Sequence, residues 1–236
     1  MSSPAVVLLW DLDGTLLTTA RAGVFALEEA AEAVLGTEVD LQDMHTSGLT
    51  DAQIAELILD GRGEGPADVD RFLELYGGAL PRHLPRRRGH VMPGVREVLE
   101  DLDGDDRVLS LLLTGNIRAG AEAKLRHYGL ADLIDDGAFC AGPGERTLIA
   151  RAAVEEAERR LGAAPDPDRT YVIGDTPRDI ECALALGLRS IGVATGQYGV
   201  DELEQAGAWR AFHRLPAPAE LRALVGVPAR ADGRSR

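Results

Sequence analysis

The feature that most constrains this chain is its alternation of short apolar runs with helical patterns. Runs rich in Val, Ile and Leu, of strand length, occupy residues 5–10, 108–113, 171–173 and 190–194. Such runs are typical of strands buried on both faces of a parallel sheet. Helical periodicity separates the later runs, over residues 94–102, 119–128, 146–161 and 178–186. The alternation predicts an α/β fold with a parallel sheet flanked by helices.

The stretch between the first two runs breaks this alternation. Helical periodicity recurs there around Phe25, Ile54 and Phe72, without a strand pattern. The Pro- and Arg-rich segment 82–88 is interpreted as a solvated linker back to the sheet. We therefore predict a helical lobe, residues 18–87, inserted into a core of residues 1–17 and 88–236. The polar tail 228–236 is predicted to be disordered.

Charge and composition exclude several classes of function. The net charge of −14 over 236 residues argues against a nucleic-acid partner, because there is no basic surplus to displace counterions. Nothing approaches a membrane span or a signal peptide. The two cysteines, Cys140 and Cys182, are expected to be free thiols. We expect a cytoplasmic protein, with a monomer and a homodimer both open.

Two acids directly follow the first apolar run. Asp11 and Asp13 are two residues apart at a strand end, so both carboxylates can face one pocket. Gly14 allows a sharp turn, and Thr15 can orient a carboxylate. The alternative is a simple turn, since Asp and Gly are common turn formers.

Polar residues also follow the second and third runs. The segment Thr114, Gly115 and Asn116 offers neutral donors for phosphate oxygens. The alternative is that Thr114 or Asn116 caps a helix. Asp175 follows the third run directly, and Asp179 lies near the next helix start, where capping is the alternative. Because the carboxyl ends of parallel strands meet at one edge, these residues should converge. Acids brought together in this way require a cation, and oxygen ligands suit Mg²⁺.

Together these motifs resemble the haloacid dehalogenase-like hydrolase superfamily. Residues 11–16 match its DxDGTL signature, Thr114 its second motif, and residues 174–179 its GDxxxD motif. The resemblance covers nearly the whole core. It implies a Rossmann-like sheet with an inserted α-helical cap, as in the phosphoglycolate phosphatase-like branch.

The resemblance also implies roles for these residues. Asp11 would be the nucleophile of a phosphatase and form an aspartyl-phosphate, and Asp13 would be the general acid/base. Asp11, the backbone carbonyl of Asp13 and Asp175 would hold Mg²⁺, with Asp179 a ligand or an anchor behind the ligands. A true dehalogenase lacks the second acid, because a halide leaving group needs no proton.

The motif-three cation has two candidates. No Lys-Pro occurs in the chain, so Arg146, just before a predicted helix, is preferred for binding the phosphate and pairing with Asp11. Lys124, the only lysine, is the alternative, and it could equally be a solvated charge on a helix.

The predicted cap offers fewer signals. Residues 47–51 resemble the Gly-x-Thr-Asp loop of that branch, although Thr50 could simply cap a helix. Arg21 and His45 are weaker candidates for the site, and His45 is interpreted as an ordinary loop residue. The absence of lysine from this segment argues against phosphonate cleavage, which would use a Schiff base.

The expected function is hydrolysis of a small phosphorylated metabolite. A phosphotransferase or phosphomutase of the same superfamily is the nearest alternative. A non-catalytic phosphate-binding relative is another.

Overall fold

In the residues that the computed structural model describes (6–60, 66–134, 136–142 and 144–229), a six-stranded parallel sheet forms the centre. In chain order, the strands of the protein are β1 (Val6–Trp10), β2 (Leu17–Thr18), β3 (His90–Val91), β4 (Val108–Ile117), β5 (Gly137–Cys140), β6 (Thr170–Gly174), β7 (Arg189–Val193) and β8 (Arg210–Phe212). The large sheet has the order β5-β4-β1-β6-β7-β8, and β2 pairs with β3 in a separate antiparallel sheet. The predicted α/β fold is confirmed.

Helices connect the strands and cover the sheet. They are α1 (Ala22–Leu35), α2 (Asp51–Asp60), α3 (Pro66–His83), α4 (Val95–Leu102), α5 (Arg118–Tyr128), α6 (Arg146–Leu161), α7 (Pro177–Ala185), α8 (Val200–Gln205) and α9 (Pro218–Leu224). Within the described part of the chain, none has the length and apolar character needed to cross a membrane.

Strand β1 is buried on both sides, because its side chains alternate between two hydrophobic clusters. Val7 and Leu9 join the cluster on one face of the sheet, which includes residues of α6 and α7. Val6, Leu8 and Trp10 join the cluster on the other face, which includes residues of α4, α5 and α9. This placement explains the uninterrupted apolar sequence of β1.

The inserted helices α1, α2 and α3 lie between β2 and β3 along the chain. Helix α1 packs on α3 through buried residues such as Ala30 and Tyr76, which share a cluster. Glu29 of α1 also pairs with Arg82 and lies 2.8 Å from His83 Nε2. The division into a core and a cap stays a prediction, although the helical character of this segment is as expected.

Three details differ from the sequence-based prediction. The predicted linker at 82–88 is wrong at its start, because α3 continues through Pro81 to His83, where its contacts with Glu29 hold the last turn. Strand β4 runs on to Ile117 instead of ending at residue 113, with a register shift between Leu113 and Ile117. The short elements β2, β3, β5, β8, α8 and α9 had no clear sequence pattern. Most of the tail predicted to be disordered lies outside the described residues.

Candidate active site

The neighbouring strands β1 and β6 bring two acids together. Asp11 follows β1 and Asp175 follows β6, and the backbone N–H of Asp11 donates to the carbonyl of Ile173 at 2.9 Å. Asp11 is 5% exposed and Asp175 is 2% exposed. With Asp179 they form a group in which one carboxylate oxygen of each lies within 4.8 Å of the others. The convergence expected from the strand ends is confirmed for these acids.

The Asp175 carboxylate is closely surrounded by its neighbours. Thr15 Oγ1 donates to Asp175 Oδ1 at 3.2 Å, as its proposed orienting role requires. Gly14 has a φ of +89°, and a Cβ there would collide with the Asp175 carboxylate. A Cβ on Gly196, after β7, would also overlap this carboxylate, and Thr195 Oγ1 holds the Gly14 carbonyl at 2.6 Å. Both glycines are therefore required by close approach to Asp175.

Burial makes Asp11 and Asp175 costly to ionise. It raises the pKa of Asp11 to about 7 against the opposing effect of Arg146, and Asp179 adds to the rise. Burial followed by the charges of Asp11 and Asp179 raises the pKa of Asp175 to about 8. When ionised, the three acids outnumber the single Arg146 among them, and their oxygen atoms are the ligands that a hard divalent cation prefers.

Arg146 is the cation opposite the nucleophile candidate. From the start of α6 it donates to Asp11 Oδ1 and lies 2.5 Å from Asp179 Oδ1, and its side chain is 8% exposed. The same Asp179 accepts hydrogen bonds from the Thr176 backbone at 3.1 Å and from its hydroxyl at 2.8 Å. The capping alternative for Asp179 is thus confirmed, and Asp179 anchors Arg146 as well.

Lys124 lies elsewhere, against the second acid of the signature. Its side chain is 5% exposed, and Nζ donates to Asp13 Oδ2 and Asn116 Oδ1 at 2.5 Å each. The interpretation of Lys124 as a solvated charge is therefore wrong, because α5 packs this face against the strand ends. The Asp13 side chain is 42% exposed and stays outside the three-acid group.

Thr114 and Asn116 are linked to each other and do not cap α5. Thr114 Oγ1 accepts from the Asn116 backbone at 3.2 Å and from Asn116 Nδ2 at 2.8 Å. Because these bonds use both lone pairs of the hydroxyl, its proton remains available to donate. Helix α5 has Ile117 as its N-cap with no side-chain cap, so the capping alternative is wrong. The backbone of Gly115 packs closely against Leu49 and Arg146. A Cβ at this position would be 2.9 Å from the Leu49 carbonyl oxygen.

A cavity of about 350 Å³ opens over these residues. Core residues Asp11, Asp13, Asp175 and Arg146 line one side. The inserted helices and their loops line the other, with both apolar and polar side chains: Val24, Leu27, Met44, Leu49, Ile54, Arg21, Asp51 and Tyr76. The volume lies within the range typical of small-molecule sites.

The loop at residues 47–51 both caps helix α2 and lines the cavity. Thr50 Oγ1 caps α2 by accepting from the Gln53 backbone at 3.2 Å, and Gln53 Oε1 accepts from Thr50 N at 3.1 Å. Ser47, Gly48, Leu49 and Asp51 line the cavity. Asp51 is buried, and its carboxylate accepts from the Ile117 backbone at 2.7 Å. Burial raises the pKa of Asp51 to about 7, partly offset by Lys124.

Comparisons with known proteins identify the family of the chain. The family model for haloacid dehalogenase-like hydrolases matches residues 8–184, which is most of the chain. The chain belongs to this hydrolase family.

Individual relatives are more distant. The chain is 29% identical over 204 residues to a probable phosphatase, IndB, from Dickeya dadantii, covering 85% of this chain and 86% of that protein. Among solved structures, CbbY from Rhodobacter sphaeroides in complex with phosphate has a TM-score of 0.69 at 20% identity, covering 89% and 94% of the two chains. A predicted phosphatase from Clostridium acetobutylicum has a TM-score of 0.67 at 21% identity, covering 94% and 99%. The structural likenesses show the shared fold.

The two weaker candidates for the site, Arg21 and His45, differ in their position relative to the cavity. Arg21 lines the cavity and donates to the Gln42 carbonyl at 3.0 Å, whereas His45 is exposed and does not line it. Tyr76 and Gly196 also line the cavity but were not predicted to belong to the site. A tyrosine on a helix face has no distinctive sequence pattern. The Thr-Gly pair at the end of β7 was the available signal for Gly196, since the other strand ends carry similar turns.

Proposed function

We propose that this protein is a Mg²⁺-dependent phosphatase that hydrolyses a small organic phosphate monoester. The observation that carries the proposal is the pair Asp11 and Asp13 at one cavity, each with its own cation, beside Asp175. The family relationship to hydrolases and the likeness to CbbY, a structure with phosphate bound, support it.

In the proposed reaction Asp11 attacks phosphorus in line with the ester oxygen. The P–O bond to the alcohol breaks as the bond to an Asp11 oxygen forms, which leaves an aspartyl-phosphate. Arg146, which contacts Asp11, is the proposed motif-three cation and would bind phosphate oxygens through its planar fork. The Thr114 hydroxyl, with its proton available, and the Gly115 backbone would donate to the same oxygens.

Asp13 completes both halves of the reaction. It gives its proton to the leaving alcohol oxygen, and its carboxylate then takes a proton from the water that attacks the aspartyl-phosphate. This second attack releases inorganic phosphate and restores Asp11. Asp13 suits the role because it lines the cavity without joining the three-acid group.

The donor set fits Mg²⁺. Asp11 and Asp175 would hold it with the Asp13 backbone carbonyl, while Asp179, which already binds Arg146 and Thr176, would anchor the group from behind. When bound, Mg²⁺ would neutralise negative charge on the transferring phosphoryl group. Burial raises the pKa values of Asp11 and Asp175, and a bound divalent cation would offset the cost of ionising them.

Other parts of the assignment stay within this proposal. The substrate would be a small phosphorylated metabolite, the setting cytoplasmic, and the assembly a monomer or a homodimer. Transfer of the phosphoryl group to an alcohol instead of water is the main alternative reaction. It would leave the roles of Asp11 and Asp13 unchanged.

Release of inorganic phosphate from p-nitrophenyl phosphate and a panel of metabolite phosphates tests the proposal. We expect activity that requires Mg²⁺, disappears with a chelator, and falls by about 10⁴-fold or more in Asp11→Asn. Asp132→Asn, at an exposed position, is the matched control and should retain wild-type rates. Full activity in Asp11→Asn, or inactivity of wild type across the panel, would contradict the proposal.

A further inference from the structure

The only lysine of the chain is buried next to the proposed general acid/base. Lys124 projects from α5 and is 4% exposed, and its Nζ bonds both Asp13 Oδ2 and Asn116 Oδ1. Burying an ammonium group is expensive unless it is paired and hydrogen-bonded. Here the compensation comes from a residue at the reaction centre, so the lysine lies where it can affect the reaction.

The orientation of the Asn116 amide follows from its neighbours. Lysine only donates hydrogen bonds and an ionised aspartate only accepts them, so Asn116 Oδ1 must face Lys124 and Nδ2 must face Asp13. In this orientation Nδ2 donates to Asp13 Oδ2 and to Thr114 Oγ1 at 2.8 Å each. All the hydrogen-bonding groups of the amide are thereby occupied by protein atoms. This connects the predicted phosphate-binding Thr114 to the acid/base Asp13.

Both donors converge on the same oxygen of Asp13. Lys124 and Asn116 bond Oδ2, and no described residue donates a hydrogen bond to Oδ1. With Oδ2 occupied by two N–H donors, a carboxyl proton is displaced to Oδ1. Because Asp13 lines the cavity and is 42% exposed, Oδ1 is the oxygen available to a substrate.

We propose that Lys124 and Asn116 are positioning residues that fix the Asp13 carboxyl group by Oδ2 and thereby place its transferable proton on Oδ1. This proposal rests on the proposed function. When Asp13 Oδ1–H protonates the leaving oxygen, the P–O bond electrons end on the alcohol and Asp13 becomes a carboxylate. Lys124 and Asn116 then stabilise that carboxylate until it takes a proton from the attacking water.

Lys124 also has a second acidic neighbour. Burial raises the pKa of Asp51, the charge of Lys124 partly offsets that rise, and the Asp51 carboxylate accepts a hydrogen bond from the Ile117 backbone. Lys124 therefore lies between an acid of the inserted helices and an acid of the core.

The experiment compares aryl phosphates whose leaving groups differ in acidity but are similar in size. p-Nitrophenol leaves readily without a proton, whereas phenol and p-methoxyphenol depend on one. We expect Lys124→Met to lower kcat on phenyl phosphate by about 10²-fold and on p-nitrophenyl phosphate by less than about 10-fold. Asp13→Asn should show the same pattern, because both changes act on the same proton transfer.

Inhibition by inorganic phosphate separates positioning from direct phosphate binding. Lys124→Met should leave the inhibition constant within about 3-fold of wild type, whereas Arg146→Met should raise it by at least about 10-fold. Lys124→Arg, which keeps the charge and donors, should recover part of the rate on phenyl phosphate. Arg126→Met removes a charge from an exposed position on α5 and is the matched control.

Asn116→Leu provides a second route if Lys124→Met does not fold, since it removes one Oδ2 donor, together with the amide acceptor of Lys124, and keeps the lysine itself. Equal losses on all aryl phosphates in folded variants, or a large rise in the phosphate inhibition constant with Lys124→Met, would overturn the positioning role. Either result would leave the proposed function intact, because wild-type hydrolysis and its dependence on Asp11 test that separately. Inactive wild type would overturn both.

Discussion

The Asp51 carboxylate accepts a 2.7 Å hydrogen bond from the backbone N–H of Ile117. Asp51 begins α2 and Ile117 ends β4, so this bond joins the inserted helices to the strand that carries Thr114 and Asn116. Asp51 is buried and lines the cavity. Its strength depends on the protonation state of Asp51, which leads to the first prediction.

Asp51 should make stability depend on pH. Burial raises its pKa from 3.8 to about 7, so the folded protein holds the proton more tightly than the unfolded chain. The contribution of this group to stability is complete at pH values below the unfolded pKa and is lost as pH rises through about 7. Asp51→Asn keeps an acceptor for Ile117 and cannot ionise.

We therefore expect Asp51→Asn to gain roughly 2–4 kcal/mol relative to wild type between about pH 4 and pH 8. Urea unfolding of both proteins at these pH values measures the difference. Wild-type and variant curves that stay parallel across this range would show that Asp51 is not held protonated by burial.

Gly196→Ala should weaken Mg²⁺ binding. Gly196 has no positive φ, but a Cβ there would overlap the Asp175 carboxylate and move it from Asp11. We expect the Mg²⁺ concentration for half-maximal activity to rise by about 10-fold or more. Gly78→Ala, at a site with open space around it, is the matched control and should not change the Mg²⁺ requirement. Unchanged Mg²⁺ titrations for Gly196→Ala would remove Asp175 from the metal site.

Arg146→Lys should impair the reaction although charge is conserved. Arg146 contacts Asp11 and Asp179 through the same nitrogen, Nη2, so its planar group keeps Nη1 for a phosphate oxygen, whereas a lysine ammonium has a single nitrogen. We expect kcat/KM to fall by about 10²-fold with little change in the melting temperature. Steady-state kinetics with thermal unfolding checks this, and wild-type kcat/KM would mean that Arg146 only supplies charge.

Arg222→Met should destabilise the fold without touching the site. Arg222 is 3% exposed, and it donates to Asp101 Oδ2 at 2.5 Å and Asp105 Oδ2 at 2.7 Å. Removing one partner of a buried pair is expected to cost about 3 kcal/mol in free energy of unfolding. Arg107→Met removes a more exposed partner of the same Asp105 and should cost less. Denaturant unfolding of the two variants measures the two losses in free energy of unfolding. A larger loss in Arg107→Met than in Arg222→Met would contradict the prediction.

The sequence by itself determined the parallel α/β core and the acids at its edge. An uninterrupted apolar strand such as β1 can only be buried on both faces, and polar residues after such strands must meet where parallel strands end. For this reason the sequence alone indicates that Asp11, Asp13, Asp175 and Asp179 belong to one site. Short elements such as β5 and β8 carry too few residues for a period to be read.

Only the tertiary structure decided which cation serves which acid. Arg146 and Asp11 are 135 residues apart, and Lys124 and Asp13 are 111 apart, so no local spacing could link either pair. Lys124 resembled a solvated helix charge because its burial depends on how α5 packs against the strand ends. The residues follow from local pattern, but their pairing depends on a packing arrangement formed by the whole chain.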